Sequence, residues 1–273
     1  MAGDRPLANQ TILAVFAHPD DESIACGGTL ARATDAGARV VLICASRGEK
    51  GSISDRALVP DGDLGRVRVQ ELRAAAAALG VTDLIVCNHP DGDLRWASVP
   101  ELHGEIVMAL RRFRPDAVIT FGEDGLYWHL DHIGVHERTS TAVRSLGAAA
   151  PPLYFVTMPK GAIRAMVDEA RAKGGAPDAS FWGIEPDAFG EFAQPSTLVV
   201  DVRGWTDRKL AALRCHRTQM GARNPIAWVD NDGMRRWLGT EHFRRAAAGA
   251  SRPSALDQLV AGPISAALPD AAR

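Results

Sequence analysis

The stretch TILAVFAHPDDE, residues 11–22, decides the fold. Thr11 to Ala17 is a short run rich in apolar and β-branched residues, too short for a helix and suited to a strand. It ends at His18-Pro19, and Asp20, Asp21 and Glu22 then open a segment of helical period that runs from Asp21 to about Ala36. Gly37 stops that helix, suiting a left-handed C-terminal cap. Outward from this unit the alternation repeats. Strands are predicted over Arg39–Ala45, Asp83–Cys87 and Asp116–Phe121, with helices over Gly65–Leu79, stopped by Gly80, and Ser98–Phe113 between them. A further strand is expected at Thr197–Val202 and a helix at Trp205–His216. Strand, helix, strand in this order implies right-handed crossovers, so the predicted class is α/β, a mostly parallel sheet with helices on both faces. Ligands of such folds gather at the carboxyl ends of the strands. Arg47–Asp63 and Gly174–Gln194, rich in Gly, Pro and Asp, read as long loops, and loops of that length usually serve a site. The Ala/Pro-rich end after Arg252 is expected to be loosely ordered.

A chain of 273 residues with 46% hydrophobic content suits one large domain spanning 1–273. Its formal net charge of -2 gives no global field for nucleic acid or an anionic membrane, so a small-molecule partner is expected, with homo-oligomerisation left open. Cys26, Cys44, Cys87 and Cys215 form no CxxC pair, which fits reduced thiols in a cytoplasm and suggests neither a thiolate zinc knuckle nor a redox motif. No apolar stretch reaches membrane-spanning length, and the N-terminus carries no secretory pattern.

Two clusters carry chemistry. His18, Asp20 and Asp21 sit where an α/β site belongs, directly after the first strand, although either aspartate could simply cap the following helix. A dinucleotide site would need GxGxxG in this turn, whereas Cys26-Gly27-Gly28 falls inside the predicted helix. After the fourth strand come Tyr127, His129, Asp131, His132 and His136; three of the chain's eight histidines fall within eight positions here. Such a concentration points to metal, and the two clusters together offer the two His and one Asp that a catalytic zinc takes while keeping a position for water.

With Ser46-Arg47-Gly48-Glu49, these clusters resemble the LmbE-like (PIG-L) family of zinc-dependent N-deacetylases, in order and in spacing. Arg68 to Leu72, the Asp91-Gly92 turn and Leu213 to Gln219 add to the likeness, which covers roughly Ile12 to Ala148 with an outlier near His216. The family includes glucosaminyl-inositol deacetylases and conjugate amidases of mycothiol metabolism. The resemblance implies a Rossmann-like LmbE-type fold and a zinc-dependent hydrolase that removes an N-acyl, commonly N-acetyl, group from an amino-sugar conjugate. It assigns His18, Asp21 and His132 as zinc ligands and Asp20 as general base. His129 would stabilise the oxyanion or donate a proton to the leaving amine, and Tyr127 would assist the oxyanion. Asp131 would either orient His129 or cap its helix. Glu49, Arg68 and Asp91 would contact the sugar. Ligand type permits Zn²⁺ and Fe²⁺ alike. No motif is recognised between Pro159 and Gln194, and this stretch, about 159–195, is expected to be a variable substrate-side insertion. An amidase of a larger thiol conjugate, a sugar-binding domain without catalysis and a metal-dependent phosphoesterase are the alternatives. The phosphoesterase is disfavoured because a two-metal site wants more carboxylates near the second cluster.

Overall fold

A computed structural model describes residues 5–96, 99–177, 184–190 and 193–260. In chain order the elements are β1 (Thr11–Phe16), α1 (Asp21–Asp35), β2 (Arg39–Ser46), α2 (Leu64–Leu79), β3 (Asp83–His89), α3 (Val99–Phe113), β4 (Ala117–Phe121), the one-turn α4 (Gly125–Trp128) and α5 (Leu130–Ser145). β5 (Leu153–Thr157), α6 (Ala162–Ala172), β6 (Leu198–Asp201), α7 (Thr206–Cys215), α8 (Asn231–Trp237), β7 (Thr240–Arg245) and α9 (Ala255–Gln258) follow.

The seven strands form one sheet in the order β3-β2-β1-β4-β5-β7-β6. β1 to β5 pair in parallel, and β7 runs antiparallel to both β5 and β6. The α/β class predicted from sequence is therefore found, as a mostly parallel sheet with an antiparallel margin. The crossovers put α1 and α2 over one face, where both pack on α7, and α3 and α5 over the other, where they pack on each other. β1, β2 and β4 are almost entirely buried, as strands covered on both faces must be. The order reverses beside β1, whose neighbours β2 and β4 leave in opposite directions, and a crevice opens at the carboxyl ends of β1 and β4. The two sequence clusters follow those two strands.

The predicted elements stand within a residue or two of their expected bounds, and Gly37 and Gly80 adopt the left-handed conformation expected of them. Ser98, the first residue of the predicted third helix, lies outside the described residues. Four features depart from expectation. α1 is interrupted at Cys26 (φ -151°, ψ 20°), which leaves the amides of Gly28 and Thr29 to donate to Glu241 on β7 at 2.8 and 2.7 Å. β5 and β7 were not predicted, although the LYFVT run of β5 is strand-like and buried. α6 occupies part of the stretch in which no motif is recognised. Its Ile163, Met166, Val167 and Ala170 bury one face at helical spacing and, with Phe189, Leu210, Leu213, Ile226 and Val229, build a second small core. The tail is ordered to residue 260: Ser254 caps α9 in a reciprocal capping box, and Tyr154 donates to Asp257. Residues 178–183 and 191–192 of the expected loop Gly174–Gln194, and the tail from 261 on, lie outside the described residues.

Candidate active site

His18 and His132, far apart in sequence, meet across the crevice with His18 Nδ1 3.2 Å from His132 Nε2. Asp21 joins them, its Oδ1 3.2 Å from His132 Nε2 and its Oδ2 3.6 Å from His18 Nδ1. The outer nitrogen of each ring is engaged. His132 Nδ1–H donates to the Gly125 carbonyl at 3.0 Å, while His18 Nε2 faces Asp131 Oδ2 at 3.0 Å and Asp91 Oδ1 at 3.1 Å. Each ring thus turns its other nitrogen inward. Two ring nitrogens and a carboxylate oxygen packed this closely call for a positive charge among them, a proton or a metal ion, and imidazoles fixed from behind by carbonyl or carboxylate are the usual metal ligands. The chain's own charges say the same. Burial works against a charged His18, but Asp131, Asp21 and Asp91 carry its pKa well above the ordinary imidazole value. Burial likewise works to raise Asp21, yet His132 and His18 hold it well below the usual carboxylate range. The residues fit a divalent metal.

His129 is close enough to His18 and His132 to complete a three-imidazole set. Its Nδ1, however, accepts the Asp131 backbone amide at 3.2 Å and caps α5, so the neutral ring carries its proton on Nε2. Burial, followed by the neighbouring His132 and His18, lowers its pKa to about 4. The ring is therefore an uncharged N–H donor near neutrality and has no ionisable proton to give to an amine.

Asp131 differs from its expected role. Its carboxylate grips His18 and accepts the amides of Gly92 and Leu94 at 2.7 and 2.9 Å, and it neither orients His129 nor caps α5. His136 also turns away, with Nδ1 2.9 Å from the Phe121 carbonyl and its ring against Phe155.

Asp20 occupies the N-cap position of α1, yet its side chain makes no capping bond, so the simple capping reading fails there. Its backbone lies at φ 121°, a costly conformation for a residue with a Cβ. Two side chains hold it. Glu22 accepts its amide at 3.1 Å, Arg68 Nη2 donates to its Oδ2 at 3.2 Å, and the same Arg68 nitrogen donates to the Pro19 carbonyl at 2.6 Å. Glu22 is in turn fixed by His216 Nε2 at 2.8 Å, from the segment after α7. Burial lifts the Asp20 carboxyl to about 6 against the pull of Arg68, which suits a group that takes and returns a proton.

The turn after β4 is contorted: Gly125, Leu126 and Trp128 all have positive φ, and Tyr127 between them is thrown towards the crevice. The Tyr127 ring meets those of His129 and His132 edge-on at 5.7 and 5.1 Å, with Phe189 behind it. Burial, then the charges of Asp21 and Asp20, push its phenol well above the usual value, so it keeps its proton.

A cavity of about 320 Å³ lies over these groups, lined among others by Asp20, Lys50, Ser52, Arg68, His129 and Gln219. The three residues predicted to read substrate are placed here unevenly. Arg68 and Asp91 line the cavity, but Asp91 is occupied by His18 and the Lys50 amide, and Arg68 by Gly48, Pro19 and Asp20. Gly48 has φ 66°, and a Cβ there would come within 2.3 Å of the Arg68 guanidinium, so only glycine lets the arginine reach. Glu49 accepts the Asp91 amide at 3.0 Å and supports the wall from behind. Lys50, Ser52 and Gln219 were not foreseen as cavity residues. The only signal for the first two was their position in a long loop at a strand's carboxyl end. Gln219 and His216 belong to the late segment that carried part of the resemblance.

The chain matches the family model described as PIG-L, GlcNAc-PI de-N-acetylase, over residues 13–143. It is 35% identical to a 1D-myo-inositol 2-acetamido-2-deoxy-alpha-D-glucopyranoside deacetylase of Acidothermus cellulolyticus, over 86% of this chain and 88% of that one. A protein of the same description from Salinispora arenicola is 31% identical over 98% and 96% of the two chains. Among solved structures, a conserved protein from Thermus thermophilus aligns with TM-score 0.60 at 25% identity, over 89% of this chain and 97% of that one. The N,N'-diacetylchitobiose deacetylase of Pyrococcus horikoshii shares the fold, with TM-score 0.56 at 20% identity over 88% and 84% of the chains. By this likeness, which spans nearly the whole length of its relatives, the chain belongs to the PIG-L family of de-N-acetylases.

Proposed function

We propose that this chain is a metal-dependent hydrolase that removes the N-acetyl group from an N-acetylglucosamine joined to a cyclitol. The observation that carries the chemistry is the convergence of His18 Nδ1, His132 Nε2 and Asp21 Oδ1 beside Asp20 at the floor of one cavity. The names borne by the relatives from Acidothermus cellulolyticus and Salinispora arenicola support the substrate class. So does a cavity lined by Lys50, Ser52, Arg68 and Gln219, which offers partners to a ligand rich in hydroxyls.

His18, Asp21 and His132 would hold the metal. When bound, a zinc or iron(II) ion supplies Lewis acidity, acidifying a water and polarising the amide carbonyl. Asp20 takes the proton of the attacking water as general base. The oxyanion that forms at the carbonyl meets two fixed donors, His129 Nε2–H and the Tyr127 hydroxyl. Asp20, protonated by the first step and with a pKa near 6, then returns its proton to the departing nitrogen, so that acetate and a free amine leave. Asp131 and Asp91 keep His18 turned inward throughout, and Arg68 and Glu22 hold Asp20 in place.

The test is acetate release. Metal-free protein given zinc should release acetate from an N-acetylglucosaminyl cyclitol, and exhaustive chelation should abolish the reaction. Equal efficiency on plain alkyl acetamides would refute the substrate class, and turnover by demonstrably metal-free protein would refute the mechanism.

A further inference from the structure

Cys87, His89 and Glu105 lie apart from the catalytic ligands and take no part in the chemistry above. Cys87 and His89 are two apart at the carboxyl end of β3, an edge strand of the sheet, where its pairing with β2 is irregular, and both are buried while Asn88 between them is exposed. Glu105 reaches them from α3, and one ligand atom from each of the three lies within 4.8 Å of the others. The geometry points to a second metal site, in which the Cys87 thiolate, a His89 imidazole nitrogen and the Glu105 carboxylate bind zinc or a similar thiophilic divalent cation.

The donor set carries the inference. Sulfur, imidazole and carboxylate together favour a borderline ion such as zinc over magnesium or calcium, which prefer oxygen alone. Tetrahedral zinc with sulfur at about 2.3 Å and nitrogen or oxygen at about 2.0–2.2 Å sets its ligands roughly 3.3–3.8 Å apart, within the span found here. His89 and Glu105 are now 2.8 Å apart and would have to open by about half an ångström to admit the ion. The side chain of Glu105 is 41% exposed while that of His89 is 9% exposed, so the carboxylate is the one free to move. Burial, then the hydrogen bond to Glu105 and its charge, push the Cys87 thiol up to about 12, so the ion must displace its proton, as metals do at cysteine sites. The alternative is a His89–Glu105 hydrogen bond beside an inert buried thiol, and the two readings separate in one experiment.

Cobalt(II) is the probe, because the catalytic set of His18, Asp21 and His132 contains no sulfur. Metal-free full-length protein titrated with cobalt should take up two equivalents, one of them bringing an intense near-ultraviolet thiolate-to-cobalt band that zinc abolishes by competition. Cys87→Ser should bind one equivalent without that band, its retained equivalent showing that the chain is folded. Cys215→Ser should behave as wild type. Should Cys87→Ser bind nothing, Glu105→Gln decides: it should weaken the band-giving equivalent at least about tenfold. A wild type with no band at saturation, a band that survives Cys87→Ser, or a Glu105→Gln affinity equal to wild type would each overturn the second site.

Discussion

At the residue scale, His129 and His132 sit three positions apart and are held by different partners. His132 is locked with Nε2 inward by the Gly125 carbonyl, whereas His129 is locked with Nδ1 on a backbone amide. His132→Ala should therefore lose the catalytic equivalent of metal. His129→Ala should keep it and lose roughly 10²- to 10³-fold in turnover, the usual loss for one oxyanion donor. The pH profile sharpens this. With its pKa lowered to about 4, His129 is already neutral throughout the working range, and a nearby dication would lower it further. Its removal should scale the rate down while leaving both limbs of the profile where they were; a lost alkaline limb would mean that His129 works as an acid. Asp20→Asn should likewise retain metal but lose on the order of 10²- to 10⁴-fold, and metal loss in that variant would make Asp20 a ligand. The residue types of this site were legible in sequence because HPDDE and the histidine cluster are dense. Their pairings were not. That Asp131 and Asp91 back His18 depends on loops from three strands meeting, which no local spacing encodes.

At the scale of elements, α1 shows how a helix that bears the site is anchored. Its break at Cys26 frees two amides, and buried Glu241 accepts both while also meeting the buried Lys209 ammonium at 2.6 Å. Gly28 permits this, since a Cβ there would come within 2.6 Å of Val202. Removing one partner of such a pair strands a buried charge, at a cost of about 3–5 kcal/mol. Glu241→Gln should thus lower the denaturant midpoint strongly, and adding Lys209→Met should recover much of the loss; a single variant as stable as wild type would show that the pair is not coupled. β1 to β4 and the first helices were readable because each is a short apolar run or a clean helical period with a glycine stop. α1's break was hidden because the Cys26-Gly27-Gly28 composition does not distinguish a break from a weak helix. β7, TEHFRR, was missed because its alternation is mostly polar and its place is set by β5 and β6, its partners on either side. α6 could have been found from Ile163, Met166, Val167 and Ala170, whose spacing is helical.

At the scale of the whole molecule, the proposed metal ligands bridge the point where strand order reverses: His18 and Asp21 follow β1, and His132 follows β4. Nothing in the unfolded chain holds these residues together, so a metal bound there stabilises the folded state through its differential affinity. At a thousandfold excess over its dissociation constant the gain is about 4 kcal/mol. For a chain of this size that moves the thermal midpoint by roughly 10 °C. The measurement belongs in a Cys87→Ser background, so that only the catalytic site responds. There, zinc should raise the midpoint of metal-free protein by about that amount. His132→Ala should abolish the response, because the ion would retain only one imidazole and one carboxylate. His129→Ala should preserve it, because that ring is bound to the backbone of its own helix. The pattern across the three proteins matters more than any single midpoint, since each substitution also shifts the metal-free baseline, and only the zinc-induced difference reports the site. A zinc response of equal size in His132→Ala would place the ion elsewhere in the crevice and remove the basis for the ligand set.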